Sequence, residues 1–438
     1  MSKSNPLTRA KKKQARELFL AHRLPEAREL YTRICQLDRR DIEAWALLGA
    51  IQEQLGEYRD AETCLRQAIA LQPNIPDGFL TLGNVLLKQG KAEEAEACYR
   101  QELKQRPTHV LAYNNLASAL IAQGKLDEAI VNLQRAVDIK PDYADAYSNL
   151  GNARAKQGKF DEAVADYHKA IQSNPGFVEA YNNLGLTLMR QGKQEEAKAC
   201  YQQLLRLKPG HVEARYSLAM LGAEPQPGNA PTEYVKSLFD GFADSFDKHL
   251  IEELAYQTPE LLNQAVRRVI GQPSARYDVI DLGCGTGLCG PLFRDLARTL
   301  TGIDLSPKMI DKAKERQVYD LLQVTDLITP LRAPNAAYDL ILAADVFVYI
   351  GDLAPVFDAV KSALRPDGLF AFSVEAANAP ESATYALRVT GRYAHASEYI
   401  RGLARAAGME EISQDTVELR REAGKPVNGY IFVLRKSA

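Results

Sequence analysis

The sequence predicts two folds in one chain: an all-α superhelical solenoid, followed by an α/β domain built on an open parallel sheet. Three observations predict this. Residues recur every 34 positions through the first half. A segment rich in proline and glycine closes that half. After it, runs of strand length alternate with helical patterns, and the first run ends in a glycine-rich turn.

At 438 residues the chain exceeds one ordinary core. Its 46% hydrophobic and 25% charged content excludes a fibrous or wholly disordered protein. Residues 1–222 carry 31 basic and 27 acidic side chains, and the remainder 23 and 29. Neither half has the basic excess of a phosphate-backbone binder, so no nucleic-acid partner is expected. No apolar stretch reaches the roughly 18 residues of a membrane span, so no membrane partner is expected. The basic start, Met1 to Lys13, lacks the apolar core of a secretory signal. Six cysteines scattered through a long chain suit a reducing, cytoplasmic setting.

The repeats set the first half. Pro73, Pro107, Pro141, Pro175 and Pro209 are each 34 apart, as are Gly56, Gly90, Gly124, Gly158 and Gly192. Ala61 to Ala197, the aromatics from Trp45 to Tyr181, and Leu48 to Leu184 keep the same period. Each unit reads as two helices, with the glycine as the turn between them and the proline as the break after them. A small residue at 49, 83, 117, 151, 185 and 219 admits the partner helix. No unit can bury its apolar face alone, so stacking supplies the core. Units are placed at 42–75, 76–109, 110–143, 144–177 and 178–211. A degenerate unit at about 8–41 has His22 and Arg39 in place of the glycine and proline, and 212–222 forms a closing helix.

This period and these residues resemble the tetratricopeptide repeat. The resemblance implies a right-handed superhelix with a concave wall made by the first helix of each unit. Asn115, Asn149 and Asn183 recur there, and Asn84 and Asn152 lie one turn further along. An asparagine amide both donates and accepts, so such a ladder suits an extended peptide, with a solvated polar face as the alternative. A protein or peptide partner is expected on this face. Cys64, Cys98 and Cys200 share one register and read as packing residues, too far apart to bridge.

Residues 223–233 read as a linker between an array at 1–222 and a second domain at 234–438. The second domain opens with an amphipathic helical stretch, 234–262, a candidate lid. Phe239, Phe242, Phe246 and His249 fall on one stripe of it.

The first strand is Tyr277–Leu282 and its turn is Gly283-Cys284-Gly285-Thr286-Gly287. A helix from about Cys289 to Ala297 and a second strand ending at Asp304 follow. Glycines there admit a ligand close to main chain, and the acid after the next strand suits ribose hydroxyls. A Gly-x-Gly-x-x-Gly string at 285, 287 and 290 would suit a dinucleotide. However, Asp281 sits two residues before Gly283, where it would repel a pyrophosphate and attract an amine. A ribose, an amine and no diphosphate describe S-adenosylmethionine.

Val279–Gly287 resembles the first motif of class I S-adenosylmethionine-dependent methyltransferases, and Ile303–Met309 the second. Tyr338–Asp345 and Leu364–Phe372 resemble the fourth and fifth strands. Phe239 to Leu250 resembles a segment that precedes the first motif in some bacterial methyltransferases. The resemblance implies a Rossmann-like domain with S-adenosylmethionine as co-substrate. It implies that Asp281 holds the amino group, and that Gly283, Cys284, Gly285 and Gly287 bring main chain to the ligand. Asp304 would hold the ribose and Leu305 flank the adenine. Asp326 would accept from the adenine amino group, and Asp345 would face the donor or acceptor side. His395, Tyr393 and His249 are the candidate bases, with Tyr349 beside them. Cys284 and Cys289 make a lone pair without further ligands, so no metal is expected.

The leading reading is methyl transfer to an acceptor recruited by the array. Its rivals are a non-catalytic adaptor that only binds S-adenosylmethionine, and a small-molecule methyltransferase that uses the repeats for assembly.

Overall fold

The computed structural model describes residues 6–243, 246–248, 250, 254–271, 276–377, 384–422 and 424–437. The chain divides into two compact units, Met1–Pro209 and Gly210–Ala438.

The first unit is a run of helix pairs, from Pro6–Leu20 with Leu24–Leu37 to Val178–Arg190 with Gln194–Leu207. Gly56, Gly90, Gly124, Gly158 and Gly192 all turn with φ between 75° and 78°. His22 takes the same place in the degenerate first pair, at φ 55°. It keeps the turn at the cost of the left-handed region, which a β-carbon disfavours. Within a pair, the small residue of the first helix receives a side chain of the second. A Cβ on Gly83 would lie 2.5 Å from the Tyr99 ring, and one on Gly151 2.5 Å from the Tyr167 ring. Both rings are buried, and so are the alanines at 61, 95, 129, 163 and 197.

The candidate peptide-binding asparagines are tied to one another. Asn115 donates to Asn84 (2.8 Å) and Asn183 to Asn152 (3.0 Å). Tyr99 and Tyr167 donate to the same two oxygens, and Asn149 donates to the buried Asn114. These amides therefore couple consecutive repeats, and the Asn115 oxygen accepts in turn from Asn114 at 3.1 Å. Glu102 breaks the pattern. It is 1% exposed where other units place Ala68, Ala136 and Ala170, and Arg106 pairs with it and with Asp77.

In the second unit nine strands form one sheet among the described residues. β1 (Tyr277–Leu282), β2 (Ala297–Asp304), β3 (Leu321–Val324), β4 (Tyr338–Ala343) and β5 (Leu364–Ala376) run parallel in the order 3-2-1-4-5. β6 (Tyr385–Leu387) and β7 (Tyr393–His395) extend the end of β5. β9 (Lys425–Lys436) pairs antiparallel with β5 and with β8 (Met409–Glu422). β1 and β4 read as continuous apolar runs because both faces are covered. One face packs Phe347, Phe357, Phe370 and Phe372, and the other packs Leu262, Val266, Phe293 and Leu340.

Three local expectations differ from the structure. The helix after the glycine turn is only Gly290–Phe293, and the chain re-enters the sheet at Ala297. The lid stretch is interrupted: helices span Thr232–Phe242, Phe246–Lys248 and Thr258–Ile270. Residues 226–231, read as linker, lie along the second unit. Gly351 and Asp352 donate main-chain hydrogen bonds to Gly228, Ala230 donates to Tyr349, and the Tyr393 hydroxyl donates to Pro227 at 2.7 Å. Prolines keep the segment extended, and its carbonyls are left to accept. Helix Val212–Met220 belongs to this unit as well, with the Tyr216 hydroxyl on the Gly391 carbonyl at 2.9 Å.

Candidate active site

A cavity of about 380 Å³ opens at the carboxyl ends of β1, β2 and β4, where strand order reverses. Ligands of open parallel sheets bind at this place. Asp281, Gly283, Cys284, Gly285, Asp304, Leu305, Asp326 and Asp345 all line it. Gly287 does not. Its φ of 87° serves the turn, and a Cβ there would lie 3.0 Å from Tyr319.

Asp281 ends β1 at 1% exposure, and the Tyr319 hydroxyl donates to it at 2.6 Å. Burial pushes its carboxyl up to about 7; the tyrosine bond opposes the shift and Asp304 adds to it. Asp304 ends β2. One of its oxygens accepts from the Gly285 N–H at 3.0 Å and the other from the Ser306 N–H at 2.8 Å. The strand thus hands its acid to the turn of its neighbour. Burial raises the pKa of Asp304 too. Ser306 caps the next helix through the Met309 N–H, at 3.1 Å. Asp326 is half-committed: the N–H groups of Ile328 and Thr329 and the Thr329 hydroxyl hold it. Burial pushes against its charge, but those bonds outweigh it and lower its pKa.

The lid forms one wall. Phe239, Phe242 and Phe246 line the cavity as their stripe predicts. Two polar clasps fix the lid to the cofactor-type motifs. Asp240 accepts from Ser306 at 2.5 Å, and Asp247 accepts from Thr286 and pairs with Arg316. His249 lies outside the described residues.

The candidate bases on β7 are elsewhere. Tyr393 and His395 are buried and do not line the cavity. The His395 Nε2 sits 2.9 Å from the Ile350 carbonyl, and burial lowers its pKa to about 4. Within β7 the two share one face, where Tyr393 meets Pro227 and His395 meets Ile350, while Arg392 precedes the strand. Arg392 is the residue of this segment that reaches the cavity. Tyr349 does line it, with a pKa raised by burial.

Sequence reasoning missed a buried ion network at the β4 end. Arg420, 2% exposed on β8, donates to both oxygens of Asp345 (3.0 and 2.8 Å), to Glu375 and to Glu422. Burial opposes its charge, but Asp345 and Glu375 outweigh it and raise its pKa further. Asp345 itself is held at φ 58°, its N–H on Ser373 at 2.8 Å. Nothing in a single strand announces this pairing, because its partners lie 45 and 75 residues away.

Residues 251–414 match the family model of a methyltransferase domain. Residues 154–221 match that of the tetratricopeptide repeat, and 15–182 that of the cilia and flagella-associated protein 70 C-terminal domain. The chain joins tetratricopeptide repeats to a methyltransferase domain. The malonyl-[acyl-carrier protein] O-methyltransferase of Serratia marcescens is 31% identical over 112 residues, 25% of this chain and 44% of that protein. The ubiquinone biosynthesis O-methyltransferase of a Methylobacterium species is 29% identical over 102 residues, 23% of this chain and 41% of that protein. The chain thus spans less than half the length of these two curated relatives. The crystal structure of MamA is similar at 28% identity, a TM-score of 0.35, 38% of this chain and 97% of that one. No helix among the described residues is long and apolar enough to cross a membrane.

Proposed function

We propose that the methyltransferase domain transfers a methyl group from S-adenosylmethionine, and that the repeat array recruits the protein or peptide that is, or carries, the acceptor. The observation that carries this reading is the pair of buried acids at adjacent strand ends. Asp281 and Asp304 flank a glycine turn, and among the described residues neither meets a cation. Asp281, raised by burial, would regain its charge beside a ligand ammonium. Asp304 would take the ribose hydroxyls, main chain at Gly283 to Gly285 would line the ligand, and Leu305 and Asp326 would meet the adenine. When bound, S-adenosylmethionine supplies a methyl group already activated by its sulfonium charge.

The chain then has to align the acceptor and exclude water. Phe239, Phe242 and Phe246 supply the apolar wall. The O-methyltransferase names of the two relatives support an oxygen acceptor. For the array, the period and the polar asparagine face support a peptide partner. It would meet the groups of Asn84, Asn149, Asn152 and Asn183 that these bonds leave over, beside Asn115, whose amide is bonded at both ends.

Asp281→Ala tests the donor site. Calorimetry should show S-adenosylmethionine bound about 1.5–3 kcal/mol more weakly, the worth of a charged hydrogen bond. Unchanged affinity removes Asp281 from the site.

A further inference from the structure

The charges of the cavity wall are sorted by position. On the β3–β2–β1 side every charged lining residue is an acid: Asp326, Asp304 and Asp281. Guanidinium groups enter only beyond β4, from Arg392 and Arg420, where Asp345 and Asp352 line the wall as well. These two are not equivalent. Arg420 is 2% exposed and saturated by three carboxylates. Arg392 is 25% exposed; its Nη1 pairs with the Glu422 Oε1 that also accepts from Arg420 at 2.9 Å, and lies 3.9 Å from the Glu375 Oε1. Both oxygens also serve Arg420, both contacts use one nitrogen of Arg392, and Tyr349 takes a further side-chain hydrogen bond, which leaves part of a five-donor fork to place.

The backbone holds Arg392 at this spot. Gly391 turns with φ 77°, and a Cβ there would lie 2.9 Å from the Tyr234 hydroxyl. Tyr216 donates to the Gly391 carbonyl at 2.9 Å, and the Arg388 N–H bonds to the Arg392 carbonyl at 2.9 Å. The nearby wall is apolar and aromatic, with Val235, Phe239 and Tyr349. A guanidinium in such a wall gains more from an anion than one in water does.

We infer that Arg392 selects the acceptor by binding an anionic group, a carboxylate or a phosphate, on an otherwise apolar molecule. The inference rests on the methyl-transfer reading for what occupies the acidic side. A cationic donor would then face the acids, and an anionic acceptor the guanidinium of Arg392. Arg392 is then a specificity residue, while Arg420 positions Asp345.

The test titrates hexanoate, hexyl phosphate, hexanol and hexylamine into the full chain saturated with S-adenosylhomocysteine, read by ligand-detected NMR. One of the anions should bind at least tenfold tighter than hexanol, and which one does so separates carboxylate from phosphate. Arg392→Gln should erase the preference and Arg392→Lys should keep part of it. Unchanged S-adenosylhomocysteine affinity in both variants shows that they fold. Hexanol or hexylamine binding as tightly as both anions overturns the inference. So does an anion preference within twofold of wild type in Arg392→Gln. Should S-adenosylhomocysteine fail to bind wild type, the donor reading falls instead, and the same probes titrated alone still decide the preference.

Discussion

Asp281 shows how much one carboxyl can report. Its pKa of about 7 means the folded chain keeps a proton that the unfolded chain releases at ordinary carboxyl pH. Its contribution to stability is therefore largest at low pH and declines as pH rises toward 7. Binding runs the other way, because an ammonium pairs only with the ionised form. Affinity for S-adenosylhomocysteine should climb up to tenfold per pH unit below about 7 and level off above it. Calorimetry between pH 5.5 and 8 checks this, and a flat profile contradicts it. Arg420 makes the opposite case. Arg420→Met removes the cation shared by Asp345, Glu375 and Glu422, of which Glu375 keeps Arg388 and Glu422 keeps Arg392, and urea unfolding should show a loss of about 3–5 kcal/mol. The acids at 281 and 304 were legible in the sequence because a glycine turn and a strand end are local signals. Arg392 and Arg420 were not, since their role comes from pairings that only the folded sheet creates. Tyr393 and His395 misled because residue type was read without strand phase.

At the scale of elements, the repeat helices explain their own spacing. Gly83 and Tyr99 are 16 residues apart, and the same offset joins Gly151 to Tyr167 and Gly185 to Tyr201. Where the small residue is Ala117, the matching position is Leu133 rather than a tyrosine. The degenerate first repeat is the exception, with Tyr31 buried 16 residues after Ala15. Gly83→Ala should destabilise the array by about 1–3 kcal/mol, despite the better helix propensity of alanine. Thermal unfolding that is unchanged or higher would show that Tyr99 has room to move. Period and turn chemistry made these helices readable in advance. The lid was readable only as a stripe. Its interruptions and its clasps at Asp240 and Asp247 depend on Ser306, Thr286 and Arg316, which lie far along the chain. The segment at 226–231 looked like a linker because proline and glycine mark breaks, and composition does not reveal that a break also lies against a sheet.

For the whole molecule, each unit has its own buried core. Tyr99, Leu116 and Leu133 anchor one, and Ile280, Phe370 and Phe372 anchor the other. The division at Pro209 sets where the chain can be cut: a catalytic fragment should begin at Gly210 and keep Tyr216 under Gly391. Such a fragment should bind S-adenosylhomocysteine as the full chain does, while the array adds capture of a large acceptor. The most direct measurement is transfer of a tritiated methyl group from S-adenosylmethionine into fractionated lysate, run with the full chain, the 210–438 fragment and Asp281→Ala. The account predicts label in a discrete acceptor fraction with the full chain, less label with the fragment, and little with Asp281→Ala. Equal labelling by the full chain and Asp281→Ala, or no label from a full chain that binds the donor, would contradict it.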